Sequence, residues 1–234
     1  MRKYYIDNIR IICILLLFPF HTCMIFNAFG DPFYVFSAPV TIFSDFIVAV
    51  YPWWMTLLFT IAGISSAYAF KKRSAKTYAK ERVFKLLIPF LSGLVLIIPV
   101  QAYIAVVYHN GYTGDYFKHF KVFFTKFTDL TGYDGGFTPA YTWFLLYLFV
   151  ISMLSLPVMT WYNNMDKKID GNRITMWMLF PFFILILLMT PIIELGGKSV
   201  GESLACFLIG LFLLSLDEVQ DKLMKYRMPL GVSW

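Results

Sequence analysis

Five stretches of this chain run for twenty or more residues without a Lys, Arg, Asp or Glu, and nothing else constrains its fold as tightly. They are Ile11 to Gly30, Phe46 to Phe70, Leu86 to Gly114, Gly135 to Met165 and Ile174 to Ile193. A helix needs about 20 mostly apolar residues to cross a bilayer. Inside lipid every backbone N–H and C=O must find its partner within the structure, which favours α-helix for runs of this kind. A sixth stretch, Val200 to Leu216, carries Glu202 and is the weakest. The expectation is an all-α fold: one membrane-embedded domain over residues 1–234, a polytopic transmembrane helix bundle of about six spans.

Composition agrees. Hydrophobic residues make up 59% and charged residues 15%, against roughly 45–50% and about 25% in a soluble domain. An ordinary water-soluble enzyme is excluded. With 25 Phe and 15 Tyr, so is a disordered chain short of apolar surface.

The net charge of +6 raises the question of an acidic partner, and the placement of the cations answers it. Only Lys118, Lys121, Lys126 and Lys198 fall on one side of the expected spans, whereas the other sixteen of the 20 Lys and Arg residues fall on the other. That bias puts both termini in the cytoplasm by the positive-inside rule. It accounts for the charge without a nucleic-acid groove. The first run also has the outline of a secretory signal, with Arg2 and Lys3 before it and Ala28-Phe29-Gly30 at its end. A signal's apolar region is about 7–15 residues; this run is longer and holds Pro19 and His21.

Cys13, Cys23 and Cys206 all sit in apolar runs, where a thiol behaves as a small hydrophobe. No CxxC, HExxH, Walker loop or GxGxxG is present, so no metal or nucleotide fold is implied. Two outer loops stand out. Residues 31–45 are rich in Pro and aromatics, as at a headgroup level, and residues 109–139 are long enough to form a cap over a central cavity.

The first run carries the most informative polar residues. Arg10 and His21 are eleven residues apart, about 20° past three full turns of a continuous α-helix, and roughly 16 Å along its axis. Asp7 lies three residues before Arg10, so a carboxylate, a guanidinium and an imidazole share one stripe. An ionisable group at His21's depth is costly and is a functional candidate by default. The structural alternative is a neutral His bonded to a backbone carbonyl, such as one freed by Pro19, with Asp7 and Arg10 as interfacial anchors. Lys71 to Lys76 reads as a plain cytoplasmic loop. Arg82 and Lys85 open the third run at i, i+3 spacing and can hold a phosphorylated donor. Residues 137–145 open the fourth run as an aromatic belt.

Taken together, Asp7-Asn8-Ile9-Arg10 followed by ten residues and His21, Phe59 to Gly63, Arg82-x-x-Lys85 before Pro89, Trp143-Phe144-Leu145 and Phe207-Leu208-Ile209-Gly210 resemble the acyltransferase 3 family of integral-membrane acyltransferases. The resemblance implies transfer of an acyl group, usually acetyl from acetyl-CoA, to a hydroxyl of a cell-envelope carbohydrate or similar acceptor. It implies a multi-pass protein of the cell membrane, with acyl-CoA as donor substrate and no permanently bound cofactor. His21 maps to the catalytic His and Arg10 to its paired Arg, with Asp7 on the same stripe, while Arg82 and Lys85 map to the donor-binding cations. Two departures matter: Lys85 stands where the family has a second Arg, and Tyr141 or Thr142 stands where relatives often carry a His. Family members commonly have about ten spans, so the chain is expected to be the N-terminal part of a longer fold and inactive alone. Its last residues, Met228 to Trp234, read as a turn before a further span. The competing readings are a transporter that uses the intramembrane His, against which no inverted repeat is visible, and a non-catalytic membrane protein.

Overall fold

The structure is a computed structural model that describes residues 3–30, 33–128, 130–195 and 197–226. The expected turn at 228–234 lies outside them. The chain is 73% helical. Its helices are α1 (Tyr4–Leu15), α2 (Leu17–Ile25), α3 (Thr41–Phe70), α4 (Ala75–Arg82), α5 (Ile88–Leu96), α6 (Ile98–Asn110), α7 (Tyr116–Thr125), α8 (Trp143–Asn163), α9 (Pro181–Met189), α10 (Val200–Ile209) and α11 (Asp217–Lys225).

Among the described residues four helical stretches are long and apolar enough to cross a membrane: Tyr4–Ile25, Thr41–Phe70, Ala75–Asn110 and Ala140–Asn163. A fifth arises if Val200–Leu214 and Asp217–Lys225, bent by 94°, form one broken span. This is fewer than the six expected from uncharged length. The run at 174–193 yields only the helix Met176–Met189, roughly 21 Å at about 1.5 Å per residue against a hydrocarbon core of about 30 Å. Pro191 accounts for the stop: Thr190 before it still has helical backbone, but Pro191 has no N–H to give the Leu187 carbonyl, so the ladder cannot continue. Beyond it the chain turns into a two-residue antiparallel ribbon, Glu194 opposite Ser199 and Leu195 opposite Lys198.

The helices group into two compact units, each with its own core. The first holds residues 1–55 and 84–146. There α2 packs on the first half of α3 through Phe20, Cys23, Ile47, Val50 and Trp54, with the Phe20 and Trp54 rings 4.8 Å apart. A second cluster joins α5, α6 and α7 through Phe90, Leu94, Ile98, Ala102 and Phe123. The α7 helix belongs to the loop at 109–139, which is folded as a cap on α6. Asp115 starts it, its carboxylate accepting from the Phe117 N–H, and His119 and Phe123, one turn apart, are its buried face.

The second unit holds residues 56–83 and 147–234. Its centre is a close crossing of α3 with α10 and the π-helical turn Gly210–Leu214 that follows it. A Cβ on Gly63 would collide with the Phe207 carbonyl, and one on Gly210 with the Thr60 carbonyl. Each glycine therefore lets the opposing backbone approach, as small residues do between membrane helices. Below the crossing, the Lys222 ammonium donates to the carbonyls of Gly171, Asn172 and Ile174 at 3.0, 2.8 and 2.7 Å, fixing the loop after α8 onto α11.

Candidate active site

The first apolar helix is not continuous. It breaks for one residue at Leu16, between α1 and α2. Pro19 accounts for this: it has no N–H to give the Leu15 carbonyl, and its ring crowds that turn. On the N-terminal side of the break, Asp7 and Arg10 meet as an i, i+3 ion pair at 3.4 Å, both partly exposed. On the other side, His21 Nδ1 lies 2.7 Å from the Leu17 carbonyl. Leu16 itself keeps helical angles, φ −63° and ψ −19°, and the carbonyl that receives His21 is Leu17's rather than the one freed by Pro19.

That contact sets the tautomer. A carbonyl oxygen can only accept, so Nδ1 must donate, and in a neutral ring Nε2 is then the basic nitrogen. The ring is partly buried. It meets the Tyr141 ring edge-on, with centroids 4.9 Å apart and planes at 84°, and lies 6.4 Å from Phe33. Of the two residues standing near the family's second His position, it is Tyr141 that reaches His21. The Thr142 hydroxyl instead donates to the Pro139 carbonyl at 2.6 Å.

Around this pair the first unit gathers aromatic and polar groups. Tyr34 stacks edge-on with Tyr133 at 5.1 Å, lies 6.1 Å from Tyr141, and its hydroxyl donates to the Thr131 carbonyl at 2.9 Å. His109 holds the Phe33 carbonyl at 2.6 Å. Ala140, just before Tyr141, has φ of +40°, a conformation that costs an L-residue about 1–2 kcal/mol and marks a held position. The Thr138 hydroxyl fixes it by accepting the Ala140 N–H at 3.0 Å.

The cap also carries an ionisable pair and a histidine that the sequence did not single out. Lys126 and Asp134 pair at 2.9 Å. Burial alone would raise the Asp134 carboxyl, but the Lys126 ammonium and the Gly136 N–H hold it below its ordinary value. His119 is 2% exposed. Its Nε2 donates to the Gly135 carbonyl at 2.9 Å, and its Nδ1 has no hydrogen-bond partner among the described residues. Burial lowers its pKa below 6.5, with the Gly135 bond opposing and the Lys126 charge reinforcing. The signal was present in the sequence as Asp115, His119 and Phe123 at helix spacing, inside a stretch read as loop.

The two expected donor-binding cations differ in setting. Arg82 belongs to the second unit and Lys85 to the first. A π-helical turn, Val83–Leu87, begins directly after Arg82, and its wider i→i+5 winding alters the i, i+3 register assumed for a plain α-helix. Arg82 lies 4.5 Å over the Tyr78 ring and donates to the Ser66 hydroxyl at 3.1 Å. Tyr78 also donates to that hydroxyl, at 3.0 Å, and Ser66 donates to the Ala62 carbonyl at 2.7 Å. Arg82 is thus pre-oriented by α3, whereas Lys85 is exposed. Among the described residues no group of three or more His, Cys, Asp or Glu is placed to hold a metal ion.

A family model described as an acyltransferase domain matches residues 3–234. The glucans biosynthesis protein C of Salmonella paratyphi B is 29% identical over 175 residues, a match that covers 71% of this chain and 41% of the relative. The protein of the same name from Salmonella heidelberg matches with the same figures. The chain therefore spans well under half the length of these curated relatives. No solved structure matches.

Proposed function

The chain belongs to the acyltransferase 3 family, and from that premise we propose that it serves in acyl transfer across the membrane, from acyl-CoA to a hydroxyl of a carbohydrate. The observation that carries the reading is His21: its Nδ1 is occupied by the Leu17 carbonyl, which leaves Nε2 as the base beside an aromatic, polar chamber. In this scheme Nε2 takes the proton of the acceptor hydroxyl. The oxygen attacks the thioester carbonyl, the new C–O bond forms, and the C–S bond breaks. The proton then passes from His21 to the leaving thiolate.

Arg10, paired with Asp7 near the start of the same helical stretch, would present a guanidinium of fixed direction to the anionic donor. Arg82 and Lys85 would meet its phosphates, and Arg82 comes pre-oriented by Ser66 and Tyr78. On this reading both termini are cytoplasmic, which the charge bias supports, with the donor on that side and the acceptor toward the outer loops of a cell-membrane protein. The relatives' name, glucans biosynthesis protein C, makes a glucose polymer the first acceptor to try.

The test is transfer of labelled acetyl from acetyl-CoA to gluco-oligosaccharides by membranes containing the chain extended by a relative's later spans. The expected product is an alkali-labile ester on the sugar. Label that stays on CoA, or that reaches the sugar equally in membranes lacking the protein, would overturn the proposal.

A further inference from the structure

Helix α7 carries more apolar surface than the rest of the first unit covers. Its residues divide into three faces when about 100° is allowed per residue and His119 is taken as the origin. Phe123 stands at about 40° and completes the buried face. Tyr116, Phe120, Phe124 and Phe117 follow from about 60° to about 160° as an aromatic flank. Lys121, Thr125 and Lys118 follow from about 200° to about 260° as a polar flank. The first face packs on α6, with Phe123 among Ile98 and Ala102. The aromatic flank is a ladder of its own, the Phe120 ring lying 6.2 Å from Tyr116 and 5.2 Å from Phe124. At its edge Phe117 is 75% exposed, and across from it Lys118 and Lys121 are exposed as well.

A helix of ten residues is too short to hold its shape alone in water, and a row of open rings is a further liability there. At a bilayer surface the same three faces are what an in-plane helix needs: protein on one side, acyl chains on the second, headgroups on the third. The height of α7 agrees. Lys85 is the last charged residue before α5 and α6, and a span of about 20 residues counted from it ends near Ala105. The α7 helix lies against that level, since Tyr116 and His119 both meet the Tyr103 ring, at 5.5 and 5.6 Å. Asp115, the next charge after Lys85, opens it. We infer that α7 is an interfacial anchor, which lays Phe117 and Phe120 against the acyl chains of the leaflet remote from Lys85 and sets Lys118 and Lys121 among the phosphates of its headgroups. The lysine stems suit the boundary, because their methylenes stay on apolar surface while the ammonium reaches the phosphate. The cap is thus held from two sides, by α6 through His119 and Phe123 and by lipid through the aromatic flank.

The experiment places the chain in phospholipid nanodiscs with a nitroxide on one introduced cysteine at a time, Phe117→Cys, Phe120→Cys, Lys118→Cys or Lys121→Cys. Cys13, Cys23 and Cys206 are buried and do not compete for the label. Collisions are read with oxygen, which concentrates in hydrocarbon, and with a water-soluble nickel chelate. The ratio of oxygen to chelate collisions should be at least about threefold higher at 117 and 120 than at 118 and 121. Equal ratios on both flanks would mean water all round, and few collisions with either reagent at 117 and 120 would mean that protein, a second copy or a later span, covers the face; each result overturns the inference. Amide exchange supplies the second readout. A ring three-quarters exposed to water would stabilise nothing, whereas one in acyl chains does. Phe117→Gln should therefore speed exchange in residues 116–125 by at least about tenfold, and Phe117→Leu, which stays apolar, by less than about threefold. Unchanged exchange in Phe117→Gln, or the same acceleration in both variants, would also overturn it.

Discussion

Replacing Gly63 by Ala should destabilise the second unit, and the size of the effect follows from what the added methyl meets. In a helix interior the substitution by itself favours the folded state by roughly 1 kcal/mol. Against that, the Cβ would collide with the Phe207 carbonyl and lie 2.9 Å from the Leu211 nitrogen and 3.0 Å from the Phe207 carbonyl carbon, where ordinary contact starts at 3.4 Å. All three obstacles are backbone, so no side chain can swing away and α3 must move off α10. Overpacking of this sort costs about 1–3 kcal/mol, at the upper end here because the neighbours are rigid, leaving a net loss of roughly 2 kcal/mol. Gly93→Ala supplies the control: its Cβ would meet only the Thr142 side-chain methyl, at 3.1 Å, and it should be neutral or up to about 1 kcal/mol stabilising. The double variant Gly63→Ala with Gly210→Ala should cost less than the sum of the singles, since either methyl opens the same crossing. Reversible unfolding in mixed detergent measures all four. A Gly63→Ala variant as stable as Gly93→Ala, or strictly additive singles, would refute the reasoning.

The cap should loosen in acid. His119 has a folded pKa below 6.5 because it is buried, so the unfolded cap binds the proton first, and stability is constant above about 6.5 and falls as pH drops from there toward the folded value. Amide exchange in residues 116–137 should speed up below about pH 6.5, and His119→Phe should abolish that dependence. At the donor site, Arg82→Glu should weaken acetyl-CoA binding by about tenfold or more, whereas Lys76→Glu, a change to a loop cation, should alter it less than threefold; equal effects would reduce the whole stretch to a topology signal. Reporter fusions after Arg73 should read as cytoplasmic and fusions after Lys121 as external, and an external signal after Arg73 would reverse the orientation.

Apolar length and charge placement were enough to foresee a polytopic helical protein, because in lipid those two properties nearly dictate backbone geometry. They overcounted spans for a physical reason: hydropathy does not register that Pro191 ends a helix early or that the chain turns by 94° before Asp217. Gly63 and Gly210 were visible as parts of a family pattern, but their purpose, mutual backbone contact, needed the packing. Of the candidate residues, Asp7 and Arg10, which the sequence put on one stripe, meet as an ion pair, and His21 stood out as an imidazole deep in an apolar run. The interruption at Leu16 follows from Pro19, which the sequence shows, whereas the choice of Tyr141 over Thr142 was not legible, because it depends on which helices meet, and no single helix periodicity encodes that.

The central claim is that His21 Nε2 is the base of acyl transfer. The most direct measurement compares labelled acetyl transfer from acetyl-CoA by wild type and by His21→Ala, each extended by a relative's later spans, in membranes where both proteins accumulate equally and bind acetyl-CoA equally. The account predicts a loss of about 10²–10⁴-fold in transfer, the worth of a positioned general base. Transfer by His21→Ala within a factor of about three of wild type, well short of that contribution, would contradict it and return His21 to the role of a histidine that merely holds the Leu17 carbonyl.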